Sequence, residues 1–285
     1  MDLTPKLRRI LLTEFMMHAP FQPATNYWRA VEIEEIIKFG LPMGHGLDLG
    51  CGDGHLMAII LGHVGERDLV GLDIDPQETR LARGRNIYSE VVTATADDLP
   101  FSTRQFDFVF SNSVLEHIPN IEGVLSEVAR ILKPGGRFLF TVPGADFHRC
   151  LHGPRIFGNR ERYLRETDAR CFHLRYWGAS QWTEYLQKVG LAKTHDHEYL
   201  SRAQVQRWES IARNTSGILY RLFGRKKQPI EIQRQMNIRK SSIRLPRLMA
   251  SWSARALDLG NHADEHFQGC ILVEAIKAES QINNG

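Results

Sequence analysis

The stretch Leu47-Asp48-Leu49-Gly50-Cys51-Gly52-Asp53-Gly54-His55-Leu56 decides the fold, because a short apolar run breaks into glycines at every second position and then becomes helical in pattern. That order reads as a strand, a tight turn and a helix start. Gly50 supplies the positive φ that the turn demands, while Gly52 and Gly54, lacking a Cβ, let a ligand and the helix approach the backbone closely. The helix N-terminus then offers its N–H groups. Downstream, Asp68-Leu69-Val70-Gly71-Leu72 reads as a second strand ending in Asp73, placed to accept hydrogen bonds from ribose hydroxyls. Together these features read as a nucleoside-binding Rossmann half. The spacing is G-x-G-x-G rather than the G-x-G-x-x-G of dinucleotide sites, and Asp53 puts negative charge where a pyrophosphate would sit. A nicotinamide dinucleotide is therefore disfavoured.

The remaining pattern alternates. Gln77 to Arg85 has helical composition, and Val91 to Ala94 is a third strand leading into Thr95-Ala96-Asp97-Asp98-Leu99-Pro100-Phe101. Phe106 to Phe110 is a fourth strand, followed by Ser111-Asn112-Ser113-Val114-Leu115-Glu116-His117-Ile118-Pro119. A helix from Ile121 to Leu132 stops at Lys133-Pro134-Gly135-Gly136, and Arg137 to Val142 is a fifth strand. Trp182, Tyr185, Leu186 and Val189 fit a helix ending at Gly190, before a sixth strand near Ala192 to Tyr199 and a terminal strand from Gly269 to Ala275. Strands alternating with helices imply a parallel sheet whose carboxyl-end loops converge on the ligand. The expected fold class is α/β, a Rossmann-like, doubly wound, mostly parallel sheet with a helical lid and a helical insertion. Residues 1–40 are expected to form an N-terminal helical cap with a polar break from Pro20 to Asn26, in which Tyr27 and Trp28 are packing residues. Residues 41–200 with 268–279 form the core, 145–175 the lid, and 201–267 a basic helical insertion.

Composition excludes several classes. In 285 residues, an apolar share of 42% and a charged share of 24% are ordinary for a soluble globular protein. Ile10-Leu11-Leu12 is too short for a signal-peptide core and no run approaches 18 apolar residues, so a cytoplasmic location is expected. The four cysteines, Cys51, Cys150, Cys171 and Cys270, are spaced too irregularly for a disulfide framework. Residues 202–256 carry thirteen Lys and Arg against Glu209 and Glu231, a net +11 in a chain of net +3, so the remainder is about −8. Ile218, Leu219, Tyr220, Leu222 and Phe223 precede Arg225-Lys226-Lys227, and Leu245, Leu248, Met249 and Trp252 recur among Arg244, Arg247 and Arg255. Apolar residues at helical spacing beside basic ones suit an interfacial helix, which points to peripheral contact with an anionic inner membrane face or to a phosphate-bearing lipid-linked acceptor. Few aromatics are present there to stack on bases, which disfavours nucleic acid.

With LDLGCGDG, GLDIDP, DDLPF, FDFVFSNSVLEHIPN and LKPGGRF in this order and spacing, roughly residues 40–200 resemble the class I S-adenosylmethionine-dependent methyltransferases of small-molecule type. The resemblance implies S-adenosylmethionine as cofactor. Gly50, Gly52 and neighbouring backbone would hold its methionine part, Asp73 its ribose and Ala96 with Asp97 its adenine. Asp48, Cys51, Gly54, Ile74, Asn112 and Ser113 complete the expected cofactor-binding set. Many relatives carry an acid where this chain has Thr95, which shifts the adenine contact toward Asp97. The implied reaction is methyl transfer to a small-molecule or lipid- or sugar-linked acceptor at a hydroxyl. A hydroxyl needs a base, and His117 and His173 are the candidates. Ubiquinone-pathway O-methyltransferases are similar in the Leu-Glu-His segment but place a further glutamate three residues earlier, for a metal; Ser113 stands there in this chain, so no metal is expected at Glu116 and His117. His148, Cys150, His152, Cys171 and His173 in the lid lack the ligand spacing of a closed zinc site. Two alternatives stand beside this reading. One is a nucleic-acid methyltransferase using the basic insertion, although Asn112-Ser113-Val114-Leu115 lacks the Pro-Pro-aromatic tetrad of base-directed amino-methyltransferases. The other is a cofactor-binding module without catalysis.

Overall fold

A computed structural model describes residues 4–154, 158–215, 244–258 and 267–279. Its contacts divide the chain into two compact units, one of residues 39–145, 173–199 and 270–285, the other of residues 1–38, 146–172 and 200–269.

The first unit is built on β1 (His45–Leu49), β2 (Asp68–Asp73), β3 (Glu90–Thr93), β4 (Phe106–Asn112), β5 (Leu132–Pro143), β6 (Leu191–Ser201) and β7 (Gln268–Lys277), the end of β6 and the start of β7 belonging to the other unit. They form one seven-stranded sheet in the order β3-β2-β1-β4-β5-β7-β6. Pairing from β3 to β5 is parallel, and β7 joins β5 antiparallel. The chain winds outward from β1 to β3 and returns to the other side of β1 with β4, so β1 and β4 flank the switch point where ligands bind in such sheets. The central strands are buried on both faces and read as continuous apolar runs, as parallel strands covered by helices must. Leu47, Leu49, Val109, Phe138, Phe140 and Val273 share a core with Trp182 of the helix Ala179–Lys188, whose ring meets Phe140 edge-on at 4.7 Å.

Two sequence expectations are corrected in this unit. Lys133-Pro134-Gly135-Gly136 does not separate helix from strand: the helix Ile121–Ile131 ends earlier and β5 already begins at Leu132. Leu132 pairs with Phe106 and Arg137 with Phe108, so the extra residues bulge out and pairing resumes. β6 is also longer than expected at both ends.

The second unit contains the helices α1 (Thr4–His18), α2 (Pro23–Phe39, which reaches one residue into the first unit), α6 (Phe147–Cys150), α7 (Arg160–Cys171), α9 (Arg202–Asn214) and α10 (Arg247–Leu257). In the first unit α3 spans His55–Val64, α4 Pro76–Arg83, α5 Ile121–Ile131 and α8 Ala179–Lys188. The polar break between α1 and α2 is shorter than expected. Pro23 opens α2, where its missing N–H costs nothing, and Asn26 lies inside the helix, buried, donating to the Ala19 carbonyl at 2.7 Å. Tyr27 and Trp28 are buried, and the Trp28 ring packs on Trp208 at 5.2 Å and Phe147 at 5.7 Å. The fully buried carboxylates of α2 are paired, Glu34 with Arg8 at 2.6 Å and Glu32 with Arg29. Residues 216–243 and 259–266 of the expected basic insertion, with Arg225-Lys226-Lys227 and the apolar run before it, lie outside the described residues, as does Phe157. Of the basic residues described, three are spent internally: Arg213 on Glu209, Arg207 on the Ala256 carbonyl and Arg202 over the Phe267 ring. Arg244, Arg247 and Arg255 are exposed.

Candidate active site

The turn after β1 is shaped by three left-handed glycines, with φ of 82° at Gly50, 55° at Gly52 and 72° at Gly54. The N–H groups of Gly50 and Cys51 both donate to the Leu72 carbonyl at 2.7 and 2.9 Å, which ties the turn to the end of β2. Asp73 completes that tie. Its Oδ2 accepts the Gly52 N–H at 2.9 Å and its Oδ1 the Asp75 N–H at 2.9 Å. A Cβ on Gly50 would strike Val114 at 2.4 Å, so the loop after β4 lies directly against the turn. A Cβ on Gly52 would meet no atom within 4 Å; it would stand in open space beside Asp73. Gly54 caps α3, and Asp53 next to it accepts the His55 N–H at 2.9 Å and pairs with Arg85 at 2.9 Å. Burial pushes the Asp53 carboxyl up, but the His55 N–H and the Arg85 guanidinium outweigh it and hold the group below its ordinary value. Its negative charge is fixed at the helix start.

The other expected cofactor residues are placed as follows. Asp48 is buried beneath the turn and accepts the Tyr88 hydroxyl at 2.6 Å; burial pushes its carboxyl up to about 7. Cys51 is buried against Gly71, and desolvation raises its thiol, so this position contributes backbone rather than a thiolate. Ile74 presents its side chain to solvent at 69% exposure beside Asp73. Ala96 packs on the core edge, and Asp97 accepts Asn120 at 3.0 Å, a bond that, with one to Thr95, lowers its carboxyl. Asn112 is buried and its Oδ1 accepts the Thr141 hydroxyl at 3.1 Å, while Ser113 turns left-handed at φ 50° and donates its N–H to the Thr141 carbonyl. Ser111, which the sequence did not single out, donates to the Leu49 carbonyl at 3.0 Å and joins β4 to the glycine turn.

Directly after Val114 the loop forms a single 3-10 turn, Leu115–His117. Glu116 is 1% exposed, and its Oε1 lies 3.7 Å from His117 Nε2. His173, from beyond β5, brings its ring to 5.4 Å from that of His117 and holds the Tyr176 hydroxyl at 3.1 Å through Nδ1. The two segments are stitched by backbone: Leu174 N–H donates to the Glu116 carbonyl at 2.9 Å, and the Arg175 guanidinium donates to the carbonyls of Leu115, Ile118 and Pro119. One ligand atom each from Glu116, His117 and His173 lies within 4.8 Å of the others. Both expected bases thus stand together, with a buried carboxylate. Ser113 stands where the metal-bearing relatives have a glutamate, and the third side chain beside Glu116 and His117 is His173. Arg175 and Tyr176 belong to no motif and had no sequence signal. In the lid, His148 pairs with Asp168 at 2.7 Å and Cys150 is buried; among the described residues the lid's histidines and cysteines other than His173 join no such three-membered group.

Residues 47–140 match the family model of the methyltransferase domain. Over 117 residues the chain is 33% identical to a demethylmenaquinone methyltransferase of Symbiobacterium thermophilum, covering 39% of this chain and 47% of the relative. It is 30% identical over 112 residues to a malonyl-[acyl-carrier protein] O-methyltransferase of Methylococcus capsulatus, covering 38% and 41%. The chain spans about half the length, or less, of the curated relatives it matches. In fold it is similar to the phosphoethanolamine N-methyltransferase 2 of Haemonchus contortus, with a TM-score of 0.54 over 94% of this chain and 60% of that one, at 19% identity. Strand order and matched segment together make residues 47–140 similar to the methyltransferase domain, in a chain whose fold is that of S-adenosylmethionine-dependent methyltransferases.

Proposed function

We propose that the chain transfers a methyl group from S-adenosylmethionine to a hydroxyl of a small-molecule or lipid-linked acceptor. The observation that carries this reading is the convergence of His117, His173 and buried Glu116 on the loop whose Val114 packs against Gly50. The cofactor fits the residues present: the open space at Gly52 admits it, Asp73 faces that space with a carboxylate, and Ile74 offers an exposed apolar side chain beside it. Backbone of Gly50 to Gly54 would hold the methionine part, and Ala96 with Asp97 the adenine, above buried Asp48 and flanked by Asn112 and Ser113. When bound, S-adenosylmethionine supplies a methyl group already activated by its sulfonium.

The chain's own work is then to hold the acceptor in line and to remove a proton. Positioning the nucleophile about 3–3.5 Å from its target is worth several kcal/mol. A hydroxyl attacks poorly until deprotonated, and a positioned histidine contributes about 10²–10⁴-fold. The test is incubation of the protein with methyl-labelled cofactor and host extract, followed by mass detection of the labelled product. Turnover on that product's precursor is expected to fall about 10²–10⁴-fold in His117→Ala or His173→Ala. Undiminished turnover in both variants overturns the assignment of the base.

We also infer that α10 docks this enzyme on an anionic membrane face. Leu248, Met249 and Trp252 are exposed there, beside exposed Arg244, Arg247 and Arg255. Among the described residues no helix is long and apolar enough to cross a membrane, so contact through α10 would be peripheral.

A further inference from the structure

We propose that Glu116, His117 and His173 form a binding site for one divalent transition cation of zinc type. The inference deepens the reading of the acceptor site given above and rests on it for its catalytic consequence. Three features of the cluster carry it.

The first is donor chemistry. Two imidazoles and one carboxylate are the set that holds catalytic zinc with a fourth position left open. Their ligand atoms already lie within 4.8 Å of one another. The second is the distance between His117 Nε2 and Glu116 Oε1. At 3.7 Å it is too long for a hydrogen bond, yet it is close to the ~3.4 Å edge of a tetrahedron with ligand bonds of about 2.0–2.2 Å. The third is support from the surrounding residues. Metal-binding histidines have their other ring nitrogen held by a fixed partner, and His173 Nδ1 is held by Tyr176 at 3.1 Å. The tautomer that donates there carries its lone pair on Nε2. The Leu174 N–H on the Glu116 carbonyl and the Arg175 guanidinium on three carbonyls fix the two ligand-bearing segments to each other before any cation arrives. Glu116 is almost fully buried, and His117 and His173 are half-buried, so a cation can enter from solvent.

A cation here changes the acceptor chemistry. An acceptor hydroxyl taking the open position loses its proton to solvent, its O–H bond breaking while the electron pair stays on oxygen, because the cation lowers its pKa. With the cation bound, His117 and His173 serve as its ligands, and the cation takes over the deprotonation of the acceptor hydroxyl that the two imidazoles perform without it.

The test is calorimetric titration of the full chain with zinc chloride, and with cobalt chloride read by ligand-field absorption. Wild type is expected to take up one saturable equivalent, with cobalt giving a four-coordinate spectrum. His173→Ala should lose that equivalent, and Tyr176→Phe should bind about 10–100-fold more weakly. S-adenosylhomocysteine affinity, measured on every variant, reports that the fold is retained and should not change. A wild type without a saturable equivalent overturns the proposal, as does equal uptake by wild type and the His117→Ala/His173→Ala double variant. If wild type binds the cation but not S-adenosylhomocysteine, the methyltransferase reading fails and the cation site stands.

Discussion

Gly52 combines a left-handed backbone with open space where a side chain would stand, and nothing in the protein's own packing asks for that space. Gly52→Ala should cost only roughly 1–2 kcal/mol of stability from the left-handed backbone. Its effect on S-adenosylhomocysteine affinity should exceed its effect on stability, because the new methyl enters the ligand's space; calorimetry showing unchanged affinity contradicts the cradle. Asp73→Ala removes the brace on the Gly52 N–H and the proposed ribose acceptor, and each charge-assisted bond is worth about 1.5–3 kcal/mol. Binding should be lost to that extent, while NAD should bind neither protein, since Asp53 occupies the pyrophosphate's place. Asp48 makes a different prediction. Its carboxyl lies at about 7 in the folded chain against an ordinary 3.8, burial being the main cause and the Tyr88 hydroxyl opposing it. Between about pH 4 and about pH 7 the folded protein keeps a proton that the unfolded chain has released. Stability contributed by this group is therefore full below about pH 4, falls as pH rises, and levels off above about pH 7, a change on the order of a few kcal/mol. Asp48→Asn keeps an acceptor for Tyr88 and should flatten that slope in denaturant melts across the window; an unchanged slope assigns it to other groups.

At the scale of elements, α5 shows how one side chain serves fold and site together. Asn120 caps it by accepting the Gly123 N–H at 3.2 Å and also donates to Asp97 of the loop proposed to hold the adenine. Asn120→Ala should cost about 0.5–2 kcal/mol in thermal unfolding, and should weaken cofactor binding by freeing Asp97. A stability loss with unchanged affinity would remove Asp97 from the adenine site. The legibility of such elements from sequence follows their locality. The glycine turn, Asp73 and the Asn112-to-His117 loop were readable because each is a strand end whose chemistry sits within a few residues. β5 was misread because Pro134, Gly135 and Gly136 punctuate the sequence, whereas in the sheet pairing simply resumes beyond the bulge. Asn26 looked like loop because it is polar, but its amide is satisfied by the Ala19 carbonyl inside a helix. His173, Tyr176 and Arg175 reach Glu116 and His117 only through tertiary structure, and no periodicity or spacing announces that meeting.

Over the whole chain, charge is segregated: residues 202–256 carry +11 while the remainder is about −8. The described part refines what that means. Arg202, Arg207 and Arg213 are engaged within their own unit, which weakens the case for a broad nucleic-acid surface. The helix α10 is different. Ala250 and Ala254 bury one face against α1, and the opposite face leaves Leu248 74%, Met249 57% and Trp252 70% exposed. Exposed Arg244, Arg247 and Arg255 surround them, and no acidic residue lies between 244 and 257. Large apolar side chains gain nothing in water, but at a lipid interface their burial adds to roughly 1 kcal/mol for each Lys or Arg near an anionic surface. Three such residues with a tryptophan inserted at the interface would give reversible binding, as the proposed docking through α10 requires. The protein should co-sediment with anionic vesicles, much less with neutral ones, and less at high salt because the Debye length contracts. Leu248→Ser with Trp252→Ser should reduce sedimentation at both salt concentrations, since the apolar contribution is not screened. Equal and negligible sedimentation with both kinds of vesicle overturns membrane docking and leaves the exposed face of α10 without that role.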